Sequence, residues 1–114
     1  MRNMSFMLTT KQMYERTKTV TRRVGWWTLK PGDVVMAVEK SQGLKKGDKV
    51  KPIYPIRIIS VRREPLHWIT DTEVVSEGFD GMTTDEFVDM FCKTHECGPL
   101  TEVNRIVFEE VENA

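Results

Sequence analysis

The segment of residues 16–27, RTKTVTRRVGWW, combines cations, hydroxyls and indoles in a pattern that could carry chemistry. Lys18 precedes the hydroxyl of Thr21 by three residues, and Arg23 follows two residues later. On a regular strand Thr21 and Arg23 share a face, so a turn before the strand is needed to bring Lys18 toward Thr21. A partly desolvated lysine beside a hydroxyl can act as a base, and it can equally bind a phosphate oxygen. The alternative is a solvated basic turn.

The two indoles at the end of this segment predict one buried and one ligand-facing ring. Neighbouring residues of an extended chain face opposite sides, so we expect only one of Trp26 and Trp27 to enter the core. The other could stack on a nucleobase, while Arg22 and Arg23 hold a phosphate or a base edge. The alternative is that one indole packs under a β-barrel and the other covers a hydrophobic rim.

Other spacings argue against metal or cofactor chemistry. Cys92, His95 and Cys97 form a C-x2-H-x-C pattern that lacks the fourth ligand of a structural zinc site. The stretch GLKKGDK at 43–49 departs from the phosphate-loop spacing and predicts only a turn. We therefore expect no metal and no cofactor.

Length and composition predict one ordinary folded domain over residues 1–114. The chain is 39% hydrophobic and 30% charged, as in folded soluble proteins. It shows neither a membrane-length apolar run nor a secretion signal, and its two cysteines form no disulfide framework. The expectation is a cytoplasmic protein without membrane association.

The zero net charge hides a division along the chain. Residues 1–63 hold fifteen Lys or Arg and four Asp or Glu, whereas residues 64–114 hold two and thirteen. One interpretation is a basic face for a polyanion such as RNA. The other is that the two halves interleave in the fold and their charges complement one another.

The hydrophobic pattern predicts an α+β fold, a small and mostly antiparallel β-barrel with two or three short helices. Strand-helix-strand repeats are absent, which argues against a doubly wound parallel sheet. Two sequences of capping-box type, Thr9-x-x-Gln12 and Thr83-x-x-Glu86, predict the starts of the helices. The predicted strands are 4–8, from 19, 34–38, 56–61 and 103–112, and the predicted helices are 9–16 and 84–93, with one further helical turn at 65–69.

The stretch TKTVTRR resembles the signature of the ASCH domain, a branch of the PUA-like superfamily with the usual pattern Gly-x-Lys-x-x-Thr-x-Arg. Lys18, Thr21 and Arg23 occupy its Lys, Thr and Arg places, and Arg16 stands where the glycine is expected. The turn sequence at 29–34 and the acidic segment SEGFDGMTTDEF are also similar to the family. Small proteins of this kind are common in bacteria and their phages.

The resemblance implies a PUA-like β-barrel with a cleft beside the signature, and two kinds of activity. One is recognition of RNA or of a modified nucleoside. The other, in a bacterial branch, is hydrolysis of the amide of N4-acetylcytidine by residues that correspond to Lys18, Thr21 and Glu77, with Glu73 as the neighbouring alternative. Lysine would be the base, threonine the nucleophile and glutamate the group that orients the lysine. A third interpretation is a phage interaction module whose partner is another protein.

Overall fold

A five-stranded sheet forms the frame of the protein. The computed structural model describes residues 1–41 and 43–112. In these residues the strand order is β1-β3-β4-β5-β2, and every neighbouring pair is antiparallel except β1 and β3, which are parallel. The strands are β1 (Asn3–Ser5), β2 (Val20–Arg23), β3 (Val34–Val38), β4 (Pro52–Pro65) and β5 (Glu102–Glu110).

Three α-helices and two 3-10 turns connect the strands. The helices are α1 (Thr10–Tyr14), α2 (Asp71–Ser76) and α3 (Thr84–His95). The 3-10 turns cover Met7–Thr9 and Leu66–Trp68. The predicted α+β class and the mostly antiparallel sheet are therefore confirmed.

The two outer strands of the sheet, β1 and β2, are not paired with each other in the described part of the chain. One side chain links them, since Nη2 of Arg23 on β2 donates to the carbonyl oxygen of Ser5 on β1 at 2.7 Å. In the described residues no strand ladder closes the sheet into the predicted barrel, and the Arg23 guanidinium links its two outer strands.

The first helix begins differently from the prediction. The side chain of Thr9 makes no capping hydrogen bond, so the capping box expected there is wrong. Thr9 instead ends a 3-10 turn, and α1 follows from Thr10, whose Oγ1 donates to the carbonyl oxygen of Phe6 at 2.9 Å. The turn accounts for the difference because it gives Thr9 a φ of −128° and ψ of 28°, outside the extended conformation typical of an N-cap.

The second capping box is confirmed. The Thr83 hydroxyl accepts from the backbone of Glu86 at 3.1 Å, and the Glu86 carboxylate accepts from the backbone of Thr83 at 3.0 Å. The helix α3 extends two residues beyond the predicted end and stops at Glu96, which is left-handed with a φ of 51°. The boundary therefore lies just before the predicted Gly98-Pro99 stop.

Helix α2 was not predicted. Its N-cap is Thr70, whose hydroxyl accepts from the backbone of Glu73 at 3.3 Å. The spacing Thr70-x-x-Glu73 is the same N-terminal signal that marks α3, so the sequence did contain it. Six residues are too few to show a helical apolar period.

The strand β4 begins four residues before the predicted start and includes both prolines of that region. Pro52 and Pro55 pair with β3, and the ladder with β5 begins only at Ile56. The register with β3 also shifts beside Val38, opposite Pro52. Both prolines thus lie where the strand has a ladder on one side, which is consistent with the missing N–H of proline.

The buried apolar side chains of the described residues form two clusters. The first contains Phe6 and Phe108 and gathers residues from the sheet and α1. The second contains Phe87 and Phe91 and joins α2 and α3 to the 3-10 turn after β4 and to the start of β5.

The opposite charges of the two halves of the chain largely pair with one another in the fold. Most ion pairs of the described residues join a cation of the first half to a carboxylate of the second half, as the interleaving interpretation predicts. Surface examples are Arg16–Glu110, Arg57–Glu109 and Arg63–Glu102.

The position where the ASCH-like signature has glycine adopts a backbone conformation that glycine favours. Arg16 has a φ of 61° in the left-handed region. Its guanidinium donates to both oxygens of Glu110, at 2.8 and 2.9 Å, and lies 4.9 Å above the ring of Tyr54. These contacts offset the strain at a position where a side chain is disfavoured.

We predict that Arg16→Gly is more stable than Arg16→Ala by about 1 kcal/mol. Both variants lose the bonds to Glu110, but only glycine relieves the left-handed strain. Urea unfolding of the two variants measures the difference. Equal free energies of unfolding would contradict this account of the turn.

Candidate functional site

Lys18 is placed by the pairing of its own chain segment with the end of α2. The backbone N–H of Thr19 donates to the carbonyl oxygen of Ser76 at 2.8 Å, which aligns Lys18 with Glu77. The Lys18 ammonium then donates to Glu77 Oε1 at 2.8 Å and to the Glu77 carbonyl oxygen at 2.6 Å. Both side chains are nearly sealed from water, at 3% and 4% exposure. The turn that was expected to bring Lys18 toward Thr21 thus brings its ammonium into hydrogen-bond contact with Glu77.

Gly78 makes this approach possible. Its φ is +99°, and a Cβ at this position would lie 3.1 Å from side-chain carbons of Gln12 on α1. The same Cβ would lie 3.5 Å from Cβ of Lys18. A side chain here would therefore be strained by its backbone and crowded by α1.

Arg22 holds three carboxylates in the interior. Its guanidinium donates to Glu77 Oε2 at 3.2 Å, Glu64 Oε2 at 3.4 Å and Glu73 Oε1 at 2.6 Å. Glu73 is bonded on its other oxygen by Arg105. The Arg22 side chain has no exposed surface, and its two Nη atoms bind protein carboxylates, whereas its buried Nε has no partner among the described residues. The structure therefore gives Arg22 the role of organising Glu77 and its neighbours.

Burial and ion pairing perturb two groups of this network. Burial lowers the pKa of the Lys18 ammonium, and Glu77 only partly offsets it. Burial by itself would raise the pKa of Glu73, but hydrogen bonds from Arg105 and Arg22 outweigh it and hold that pKa below its ordinary value. Lys18 is thus moved toward its neutral, basic form, whereas Glu73 stays a carboxylate.

Thr21 and Arg23 form a second pair on the same strand. Nε of Arg23 donates to Oγ1 of Thr21 at 3.0 Å, and the ring of Phe6 lies 4.8 Å from the guanidinium carbon. Thr21 is buried, at 3% exposure. In the described structure the ammonium of Lys18 has its hydrogen bonds to Glu77 and none to Thr21.

A cavity of about 570 Å³ opens beside these groups. Lys18, Thr21, Arg23 and Glu77 all line it, so the structure brings the signature residues and the predicted glutamate together. Glu73 is not among its lining residues, which distinguishes between the two glutamates. Its aromatic lining comes from both apolar clusters: Phe6, Trp26, Phe79, Phe87 and Phe91.

The three tryptophans have different surroundings. Trp26 is half-buried and lines the cavity, and the guanidinium of Arg2 lies 5.1 Å from its ring. Trp27 is exposed, with the guanidinium of Arg63 4.6 Å from its ring. Trp68 is more exposed still and does not line the cavity. Of the adjacent pair, Trp26 is thus the ring available to a ligand in the cavity.

Sequence reasoning did not identify the phenylalanines of the cavity or the buried Glu64. Phe87 and Phe91 follow the helical spacing of α3, which indicates a packing face and gives no signal for a cavity. Glu64 lies in β4 and has a second partner in Arg62, whose Nε lies 2.8 Å away. A lone carboxylate in a strand-forming stretch was the only signal for it.

No group of three or more His, Cys, Asp or Glu in the described residues could hold a metal ion. Cys92 and Cys97 are free cysteines, and the backbone N–H of Cys97 donates to the carbonyl oxygen of Cys92 at 3.1 Å. The ring of His95 packs 4.1 Å from that of Phe91. In the described part of the chain, no helix has the length and apolarity needed to cross a membrane.

Comparison with solved structures identifies the architecture. A protein of Enterococcus faecalis V583, of the family DUF984, superposes with a TM-score of 0.61 at 17% identity, over 89% of this chain and 68% of its own. An ASCH domain of Lactobacillus crispatus JV V101 superposes with a TM-score of 0.58 at 15% identity, over 90% of this chain and 70% of its own. The chain has an ASCH-like fold. No family model and no curated protein matches the sequence. The fold predicted from the signature is therefore confirmed by structure.

We predict that Glu77→Gln lowers the free energy of unfolding by about 3–5 kcal/mol, because Lys18 and Arg22 then lose a buried counter-charge. The matched control is Glu102→Gln, which removes an exposed partner of Arg63 and is expected to cost at most about 1 kcal/mol. Urea unfolding measures both. Similar losses of unfolding free energy in the two variants would show that the buried ion pairs stabilise the fold no more than an exposed pair does.

Acid should weaken the contribution of Glu73. Because its folded pKa lies below the ordinary 4.5, the stability it supplies is fully present above that pH and is lost as pH falls through the folded pKa. We expect the difference in unfolding free energy between wild type and Glu73→Gln to shrink below pH 4.5. A difference that stays constant from neutral to strongly acidic pH would contradict this.

Proposed function

We propose that this protein recognises a nucleobase, in RNA or in a modified nucleoside, within the cavity beside the ASCH-like signature. The observation that carries the proposal is the combination of aromatic walls with buried hydrogen-bonding groups in one cavity of about 570 Å³. This volume lies in the usual range for small-ligand sites. A planar base with polar edges matches such a lining.

The lining supplies both kinds of contact that a base requires. Trp26 offers an indole to stack on, a contact worth about 1–3 kcal/mol per base. Lys18, Thr21 and Arg23 offer donors for the carbonyl oxygens and ring nitrogens of a base edge. The resemblance of the signature to ASCH domains supports the same ligand class.

We predict that Trp26→Ala weakens binding of the preferred nucleoside or RNA by roughly 5- to 150-fold, the equivalent of one lost stacking contact. Trp68→Ala is the matched control, since that ring is exposed and outside the cavity. Calorimetric titration against the four ribonucleosides, N4-acetylcytidine and short RNAs measures the effect. Equal losses in both variants would contradict the stacking role.

A second candidate function is hydrolysis of the amide of N4-acetylcytidine. The specific observation in its favour is the 2.8 Å contact between Lys18 and Glu77 in a cavity that also contains Thr21. A base held by a carboxylate near a hydroxyl has the composition of an activated nucleophile. The lowered pKa of Lys18 supports its role as the base.

In this mechanism neutral Lys18 accepts the hydroxyl proton of Thr21 while Oγ1 attacks the acetyl carbonyl carbon. Negative charge develops on the acetyl carbonyl oxygen during the attack, and Arg23 positions Oγ1 for it through its 3.0 Å hydrogen bond. The C–N bond then breaks, and the Lys18 ammonium returns the proton to the departing N4 amine. Lys18 then deprotonates a water that attacks the carbonyl carbon of the acetyl ester. The C–O bond to Thr21 breaks, the Lys18 ammonium returns its proton to Oγ1, and acetate is released. Glu77 positions the lysine in both steps.

We predict release of acetate from N4-acetylcytidine, abolished by Lys18→Ala and by Thr21→Val and retained in part by Thr21→Ser. Thr19→Ala is the control, because Thr19 is exposed and outside the cavity lining. The value of kcat/KM should rise with pH and level off below the ordinary lysine pKa of 10.5, since Lys18 must be neutral.

A folded wild-type protein that releases no acetate would remove the hydrolase candidate and leave recognition in place. A protein that shows neither turnover nor binding would favour the third interpretation, in which the partner is another protein.

A further inference from the structure

The described lining of the cavity carries more positive than negative charge. Four cationic side chains, Lys18, Arg22, Arg23 and Lys40, line it together with a single carboxylate, Glu77. The carboxylate is already shared between Lys18 and Arg22. Two cations, Arg23 and Lys40, therefore face the cavity without a counter-charge from the described residues.

The guanidinium of Arg23 has hydrogen-bond donors that no described residue accepts from. Its Nε bonds to Thr21 and its Nη2 to the Ser5 carbonyl oxygen, which leaves both hydrogens of Nη1 without a partner among the described residues. None of the described carboxylate oxygens lies within 4.0 Å of its charged nitrogens. The guanidinium carbon lies over the ring of Phe6, 4.8 Å from its centre.

The surroundings disfavour this charge when no ligand is bound. Burial lowers the pKa of Arg23 to about 10, and the nearby Glu77 offsets only a part of that effect. An anion beside the guanidinium would remove the penalty. A planar guanidinium held by two hydrogen bonds over an aromatic ring is preorganised for an oxyanion.

Lys40 supplies a second positive charge at the same cavity. It is exposed, lines the cavity next to Ser41, and forms no ion pair with a described residue. Lys40 is exposed and Arg23 is half-buried, so the two cations lie at different depths of the same lining.

We propose that the ligand of this cavity is a nucleotide, whose phosphate is bound by Nη1 of Arg23 and by the ammonium of Lys40. The inference rests on the proposed recognition of a nucleobase and adds that a phosphate belongs to the recognised group. Two sources share this chemistry, a free nucleoside monophosphate and a backbone phosphate of RNA.

Calorimetric titration at fixed low salt tests the proposal with three sets of probes. These are the four ribonucleosides, their 5′-monophosphates, and short oligoribonucleotides without a terminal phosphate. We expect the monophosphate of the preferred base, or the oligonucleotide, to bind at least about ten-fold more tightly than the nucleoside. Tighter oligonucleotide binding assigns the phosphate to RNA, and tighter monophosphate binding assigns it to a free nucleotide.

Two variants assign the phosphate contact. Lys40→Gln should reduce the preference for the phosphorylated probe several-fold and leave the affinity for the nucleoside unchanged, and Arg23→Gln should abolish the preference. Lys30→Gln, another exposed lysine outside the cavity, is the matched control and should change neither. Because Lys40 is on the surface, its variant tests the proposal even if Arg23→Gln fails to fold.

Equal affinity for nucleoside and phosphorylated probes, or a preference unchanged in Lys40→Gln, would overturn the phosphate assignment and leave nucleobase recognition standing. Absence of binding by all three sets of probes to folded protein would overturn both.

Discussion

Lys18, Arg22, Glu64 and Glu77 place two positive and two negative charges in the interior, each with no more than 4% of its side chain exposed. An ion removed from water costs several kcal/mol unless partners replace its hydration, so none of these groups is tolerable alone. The partners come from three distant parts of the chain: the start of β2, the end of β4 and the end of α2. The fold is therefore constrained to bring those three segments together, and α2 must end where Gly78 admits Lys18.

The same network explains why a polar cavity exists between two apolar clusters. Arg22 donates hydrogen bonds to the buried carboxylates, including Oε2 of Glu77. The other carboxylate oxygen of Glu77, Oε1, accepts from Lys18 beside the cavity. Arg23 is bonded to main chain and to Thr21 instead of to a carboxylate. The structure thus commits Arg22 to the buried carboxylates, whereas Arg23 beside it has no carboxylate partner. This difference connects the stability of the fold to the proposed recognition and chemistry.

Much of the fold followed from local patterns. The apolar run of Val34–Val38 is the strand β3 with its predicted bounds, and the Thr83–Glu86 spacing marks the true start of α3. The signature even located a left-handed turn, since Arg16 has that backbone where a glycine was expected. The failures also have local causes. Thr9 has the residue type of a cap but not its backbone, and α2 is too short to show a helical period.

The sequence by itself determined the kinds of groups available: a lysine, a threonine and two arginines beside paired indoles, and the opposite charges of the two halves. Tertiary structure alone decided which of them meet, namely Glu77 rather than Glu73 at Lys18, Trp26 rather than Trp27 at the cavity, and Arg22 turned inward. The reason is that propensities and capping act within a few residues, whereas Lys18 and Glu77 are 59 positions apart. Over that distance only packing and the cost of leaving a charge without a partner choose the contact.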